Sequence, residues 1–269
     1  MTRRQALGQH FLRSKKALNQ IIEAIAPQPE DLIMEIGAGK GALTFPLARR
    51  CGQVIAIEKD TKLIPFLTEK SLPNLSVIQG DILRLDWEKL LAPYQPWKGP
   101  VKLAGNLPYS ISSPLLFRVL EKRTLFSLIV FLLQREVAAR VCAPPGSKDY
   151  APLSIFFNIF FETNLVRVFS PHVFSPPPQV QSALITLRPR PQPLYRIQDW
   201  PRFQDFLRGC FRHRRKLLVN NLRRLGYEEK KINEALTAAQ LSPAVRPEQV
   251  AEAAFIDLFH YLQGEAKHP

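Results

Sequence analysis

Leu32-Ile33-Met34-Glu35-Ile36-Gly37-Ala38-Gly39-Lys40-Gly41 runs a short, largely apolar segment straight into three glycines, and a helical pattern follows over 42–50. Glycines let the backbone turn sharply and let a ligand approach the main chain beside the positive end of a helix. The spacing is GxGxG, not the GxGxxG of dinucleotide sites. Taken alone, the segment is equally a tight strand–helix turn.

Outward from this turn, short apolar runs alternate with helical stretches. Strands are expected at 32–36, 54–58, 75–79, 101–104 and 127–133. Helices are expected at 42–50, 61–70, 87–91 and 114–122, with an amphipathic helix upstream at 17–26 that places Leu18, Ile21, Ile22 and Ile25 on one face. Pro65 interrupts the 61–70 pattern, so that helix has an open boundary. Strand–helix alternation with strands apolar on both faces predicts an α/β fold, a parallel sheet covered by helices. Beyond 133 come a helix at 136–141, a loop with Pro144, Pro145 and Gly146, and an apolar helix at 153–161. Two more strands, 165–169 and 183–187, flank the prolines at 176–178 and would close the sheet with an antiparallel pair. Segment 188–193 (RPRPQP) reads as a linker, and from Pro201 the pattern is helical and strandless. A boundary near 190 is therefore expected, dividing 1–190 from a helical 191–269.

A chain of 269 residues that is 46% hydrophobic and 22% charged is not disordered, and no apolar run approaches the ~20 residues a membrane span requires. Cys51, Cys142 and Cys210 form no CxxC pair and the five histidines no HxxxH pair. Neither a disulfide framework nor a metal site is expected, and the cysteine usage suits a reducing cytoplasm. A cleavable leader is not expected either, since the first motif begins by Leu7. The net charge of +14 is concentrated: residues 1–16 carry +5 and residues 202–224 carry +7. Clustered cations without a membrane anchor suggest a polyanion partner, most simply nucleic acid; the alternative is a solvated basic face.

Two carboxylates follow the glycine turn. Glu58 ends the next strand, where it can accept hydrogen bonds from ribose hydroxyls, and Asp81 follows the third strand, placed to meet an adenine amino group. Gly37, Gly39, Glu58 and Asp81 together suit a nucleoside lying across consecutive strand ends. After the fourth strand comes Asn106-Leu107-Pro108-Tyr109. An exocyclic adenine nitrogen is a poor nucleophile because its lone pair is delocalised into the ring. Acceptors aimed at its N–H groups draw it toward a pyramidal, nucleophilic state. Asn106 offers a side-chain carbonyl and Leu107 a main-chain one; Pro108 stiffens the turn, and Tyr109 gives a flat face for an extruded base. An NxPY tetrapeptide alone is more often a plain turn. Its position downstream of the GxGxG turn and the two acids reverses that reading.

On these motifs the chain resembles the S-adenosylmethionine-dependent rRNA adenine-N6 dimethyltransferases, and among them the bacterial 16S rRNA branch, from Leu7 to about Leu225. Leu7-Gly8-Gln9-His10-Phe11-Leu12 resembles the motif that closes over the cofactor, which implies His10 and Leu12 as cofactor contacts beside Gly37, Gly39, Glu58, Asp81 and Asn106. Segments 134–140 (QREVAAR), 174–182 (FSPPPQVQS) and 211–217 (FRHRRKL) resemble later signatures. Three positions depart from the pattern: His10 stands where the family usually has Asn, Leu7 where it has Phe and Ala38 where it has Pro. His10 can still reach the cofactor's carboxylate end through a ring nitrogen. The resemblance implies a Rossmann-like methyltransferase sheet with a small all-α C-terminal domain. It also implies S-adenosylmethionine as methyl donor with S-adenosylhomocysteine as product, no metal, and 16S rRNA of the assembling small subunit as partner. A monomer is expected, with no membrane association.

Within 202–224, the apolar residues from Phe203 to Leu225 suit the core face of one or two helices whose arginines are simply exposed. The favoured reading is an RNA-docking surface, with Arg212, Arg214, Arg215 and Lys216 as phosphate contacts. Three other functions fit parts of the sequence: a large-subunit rRNA methyltransferase of the macrolide-resistance type, a dehydrogenase, and a non-enzymatic ribosome assembly factor. The QREVAAR and FRHRRK segments favour the small-subunit enzyme over the first. The glycine spacing disfavours the second, and intact Glu58, Asp81 and Asn106–Tyr109 disfavour the third.

Overall fold

A computed structural model describes residues 10–264. Arg3, Arg4 and the first three residues of the N-terminal motif, Leu7, Gly8 and Gln9, lie outside the described residues. The chain forms two compact units. One runs up to Ala138 and resumes over Glu162–Pro189, and the other comprises Ala139–Phe161 and the chain from Arg190 onward.

The first unit is built on a seven-stranded sheet. Four strands, β2 (Leu32–Ile36), β3 (Gln53–Glu58), β4 (Leu75–Gln79) and β5 (Val101–Asn106), follow the N-terminal β1 (Phe11–Leu12). The rest of the sheet is β6 (Leu128–Gln134), β7 (Phe161–Phe169) and β9 (Ser182–Pro189). The order is β4-β3-β2-β5-β6-β9-β7. Pairings from β4 through β6 are parallel, and β9 lies antiparallel on β6. The fold is thus the expected α/β sheet. Every residue of β2 is buried, as a strand covered on both faces must be.

Helix α1 (Lys15–Ile25) covers one face through Ala17, Ile21, Ile22 and Ile25. It starts at Ser14, whose hydroxyl accepts the Ala17 N–H, an ordinary N-cap. The connecting helices α2 (Thr44–Ala48), α3 (Ile64–Thr68) and α4 (Trp87–Leu91) are single turns, and α5 (Ser112–Glu121) is longer. Pro65 lies in the first turn of α3, where its missing N–H leaves no intrahelical bond unmade; that is why the expected helix 61–70 starts late. Strand β7 begins four residues earlier than expected. The residues missed, Glu162, Thr163 and Asn164, are polar, so the apolar signal starts only at Leu165; beyond it Val166 and Val168 are apolar yet exposed. A two-stranded sheet joins β1 to β8 (Phe174–Ser175) in antiparallel register, Phe11 opposite Ser175 and Leu12 opposite Phe174. Sequence periodicity has no signal for strands this short.

The second unit is helical. It contains α7 (Pro152–Phe160), α8 (Trp200–Cys210), α9 (Leu218–Arg224), α10 (Glu229–Ala238) and α11 (Glu252–Gln263); α6 (Arg135–Val141) runs into it from the sheet. This division departs from the sequence-based boundary at 190, which left 139–161 with the sheet. Trp200 of α8 packs edge-on against Phe156 and Phe160 of α7, with ring centroids 5.3 and 4.8 Å apart, so the apolar face of α7 is buried within the helical unit. The supposed linker is also tied down. Residues 188 and 189 belong to β9, and the Arg190 and Leu194 amides donate to Phe160 and Ile159 carbonyls.

Candidate active site

At the carboxyl ends of the parallel strands, Gly37, Gly39 and Gly41 take φ of 72°, 61° and 82°, a region that costs other residues about 1–2 kcal/mol each. Gly37 and Ala38 donate to the Ile57 carbonyl. Glu58 is buried, and its carboxylate holds two loops at once: Oε2 accepts the Gly39 N–H and Oε1 the Asp60 N–H, both at 2.8 Å. Glu58 was expected to meet ribose hydroxyls. Each oxygen keeps a second lone pair for that, but the residue also shapes the glycine turn. A Cβ placed on Gly37 would lie 3.6 Å from the Asn106 carbonyl and 3.7 Å from Pro108 Cδ. The turn and the NLPY loop are therefore in near contact.

Asp81 accepts from Lys59 Nζ at 2.9 Å and from the Leu83 N–H at 3.0 Å. The Lys59 hydrogen bond is the main influence holding its carboxyl below the usual range. Lys59 is 60% exposed, and such a surface pair is weak enough to open for a ligand. Glu35 precedes the glycine turn on β2, and the sequence motif implies no role for it. It is a fully buried acid lining the same cavity, and among the described residues its Oε2 has no hydrogen-bond partner. Desolvation pushes its pKa up to about 7, the Thr44 hydroxyl pulling down and the Glu58 charge adding to the rise. A carboxylate in an otherwise apolar strand was the signal for it.

Asn106 is the last residue of β5. Its Nδ2 donates to the His10 carbonyl at 2.9 Å. Only the amino side of an amide can face a carbonyl, so the amide orientation is fixed by chemistry and Oδ1 is left as the acceptor. The Leu107 N–H continues the ladder onto Leu132, and Pro108 O accepts the Ile111 N–H to close the turn. Tyr109 is half-buried, its phenol pushed above the usual range mainly by desolvation. Its ring centroid lies 5.5 Å from that of His10, and its hydroxyl shares a 2.8 Å hydrogen bond with Ser182. His10 Nδ1 bonds Pro176 O at 2.8 Å; a carbonyl only accepts, so Nδ1 carries the proton and Nε2 is left free of it in the neutral ring.

Every residue assigned from sequence to cofactor or chemistry lines one cavity of about 390 Å³. Strand β1 and the residue before it bring Leu12 and His10 to the cavity, and Lys40 also lines it, its Nζ 5.7 Å from the Phe11 ring and 5.1 Å from the Phe66 ring. The four cations assigned to RNA lie in the second unit. Arg212, Arg215 and Lys216 are exposed. Arg214 is only partly exposed, its Nη2 donating to the Lys148 and Tyr150 carbonyls, each at 2.8 Å. Among the described residues no His, Cys, Asp and Glu cluster could hold a metal ion, and no helix is long and apolar enough to cross a membrane.

The fold is that of a Rossmann-like S-adenosylmethionine-dependent methyltransferase. A family model described as ribosomal RNA adenine dimethylase matches residues 1–264. A Geobacter metallireducens protein named ribosomal RNA small subunit methyltransferase A is 40% identical over 254 residues, 92% of this chain and 91% of the relative. A protein of the same name from Xylella fastidiosa is 44% identical over 221 residues, covering 81% and 82%. Among solved structures, a dimethyladenosine transferase from Plasmodium falciparum superposes with a TM-score of 0.76 at 27% identity, covering 95% of this chain and 98% of that one. The 23S rRNA methyltransferase ErmE gives 0.72 at 27%, covering 94% and 99%. The chain belongs to the ribosomal RNA adenine dimethylase family, S-adenosylmethionine-dependent rRNA adenine dimethyltransferases.

Proposed function

We propose that this chain dimethylates the N6 amino groups of two adjacent adenosines in the 3′-terminal hairpin loop of 16S rRNA, acting as a cytoplasmic monomer during small-subunit assembly. The observation that carries this reading is the Asn106 amide, whose amino side is tied to His10 so that Oδ1 remains an acceptor at the cavity. The relatives' names support the small subunit as target.

The cavity fits S-adenosylmethionine. Its three left-handed glycines make a cradle in which a Cβ on Gly39 would stand 3.3 Å from the Phe11 ring, and the partnerless Glu35 oxygen suits a cationic ligand. Gly37, Gly39, Glu58, Asp81, His10, Leu12 and Asn106 would hold it. When bound it supplies a methyl group activated on a sulfonium and leaves as S-adenosylhomocysteine. Asn106 Oδ1 and the Leu107 carbonyl accept the two N6–H bonds and raise the nitrogen's nucleophilicity. Tyr109 stacks the extruded base. No side-chain base is required, since the methylated nitrogen can release its proton to water. After one transfer a single N–H remains, which either acceptor can hold for the second. Arg212, Arg215 and Lys216 offer phosphate contacts that position the RNA without reading its sequence.

Small subunits lacking the modification, incubated with the protein and S-adenosylmethionine and digested for mass spectrometry, test the reading. N6,N6-dimethyladenosine is expected at two neighbouring positions. Monomethyladenosine alone, or modification confined to large-subunit rRNA, would overturn it.

A further inference from the structure

Ser182, the first residue of β9, is fully buried. A hydroxyl withdrawn from water is unfavourable unless it is hydrogen-bonded, and the partner of Ser182 Oγ is the Tyr109 hydroxyl at 2.8 Å. We propose that Ser182 is a positioning residue for adenine methylation, tethering the Tyr109 ring in the plane against which the extruded base stacks. The inference rests on the reading of the site given above.

Two stretches to which that chemistry assigns no part supply the support. Ser182 sits opposite Gln134 in the β6–β9 register. Beside this pair the Arg135 N–H donates to the Gln181 carbonyl at 2.9 Å, and the Arg135 guanidinium donates to Gln181 Oε1 at 2.7 Å. The start of QREVAAR and the end of FSPPPQVQS thus form one strut that fixes Ser182. Further back in FSPPPQVQS, Pro176 O holds the His10 ring, and the His10 carbonyl holds the Asn106 amide. One segment, 176–182, therefore restrains the amide through His10 and the aromatic ring through Ser182. Tyr109 itself lies in a three-residue 3-10 turn. A ring on such a turn loses rotational freedom when a base stacks on it, and a ring already tethered loses less.

Ser182→Ala, Ser182→Thr, Tyr109→Phe and the double variant Ser182→Ala/Tyr109→Phe are compared on unmethylated small subunits. Cofactor affinity and thermal unfolding are measured alongside. Ser182→Ala and Tyr109→Phe are each expected to lower kcat/KM for RNA about tenfold, the size of one net hydrogen bond. The double variant should be no worse than either single one, Ser182→Thr should recover most of the rate, and cofactor affinity should be unchanged. A hairpin RNA with 2-aminopurine in its loop reports stacking directly: its fluorescence should fall on binding the wild-type protein and fall less with Ser182→Ala. Full activity in Ser182→Ala, or losses that multiply in the double variant, would overturn the proposal. If Ser182→Ala does not fold, Tyr109→Phe removes the same bond from the cavity side, and wild-type behaviour there overturns it equally. An inactive wild-type protein would sink the functional reading alone, because the fluorescence comparison still decides the tether.

Discussion

In the proposed mechanism Asn106 concentrates the chemistry into one amide, whose orientation is fixed by its bond to the His10 carbonyl. Asn106→Ala should reduce kcat about 10²–10³-fold, the loss typical of one preorganised group that acts on the reacting atom, with RNA affinity near normal; single-turnover transfer at the wild-type rate would refute its role. Glu58 holds two loops, and in the proposed function it also holds the cofactor. Glu58→Ala leaves the Gly39 and Asp60 amides without acceptors, so cofactor affinity should fall by about 1.5–3 kcal/mol, and unchanged affinity by calorimetry would remove Glu58 from the site. Glu35 makes a pH prediction. Its pKa rises from 4.5 to about 7 on folding, so between those values the folded chain keeps a proton that the unfolded chain has released. Its contribution to stability therefore falls as pH rises from about 4.5 to 7, by on the order of 3 kcal/mol. Urea unfolding of Glu35→Gln should lack that slope, and an identical slope in both proteins would contradict the assignment. That the glycines, Glu58, Asp81 and NLPY would come together at one cavity was legible, because each stands at a set place after a strand of the parallel sheet. Ser182 was not, since what distinguishes it is complete burial and a partner distant in the chain, and Glu35 left only the mark of a carboxylate in an apolar strand.

At the scale of elements, the parallel strands could be read because each is a compact apolar run. The ends of elements were less legible: α2 and α3 are single turns inside longer helical patterns, and the start of β7 hides behind the polar Glu162, Thr163 and Asn164. The paired strands β1 and β8 are two residues each, too short for any period, yet they carry His10 and Leu12 to the cavity. One buried lysine ties the end of α1 to the sheet and left no mark in the sequence. Lys102 of β5 reaches Asp31 at 2.6 Å, both largely buried, and also donates to the Ile25 and Ala26 carbonyls at the C-terminal end of α1, where a cation is favoured by the helix dipole. Lys102→Met would leave the Asp31 carboxylate buried without its partner, a loss of about 3–5 kcal/mol. Chemical denaturation should show it, and a shift under ~1 kcal/mol, the median for exposed pairs, would mean the pair contributes only as a surface one.

For the molecule as a whole, the clustering of positive charge was plain in the sequence, but the direction in which each cation points was not. Arg212, Arg214, Arg215 and Lys216 look equivalent in the chain. In the structure Arg214 is bonded to two main-chain carbonyls of 139–161 while the other three are exposed. The four should therefore separate into two behaviours. Neutralising Arg212, Arg215 and Lys216 together should weaken RNA binding and flatten its dependence on salt, by roughly 0.7–0.9 in log–log slope per phosphate contact removed, with cofactor affinity and unfolding unchanged. Arg214→Ala should do the reverse. It removes the donor that satisfies the Lys148 and Tyr150 carbonyls, so the unfolding midpoint should drop while the salt slope stays near the wild-type value. Titrating a 16S 3′-hairpin RNA at several salt concentrations, beside thermal melts of both variants, measures each quantity separately. A salt slope that moves with Arg214→Ala as much as per residue in the triple variant would make Arg214 a phosphate contact after all, and an unmoved slope in the triple variant would return the cluster to a solvated face.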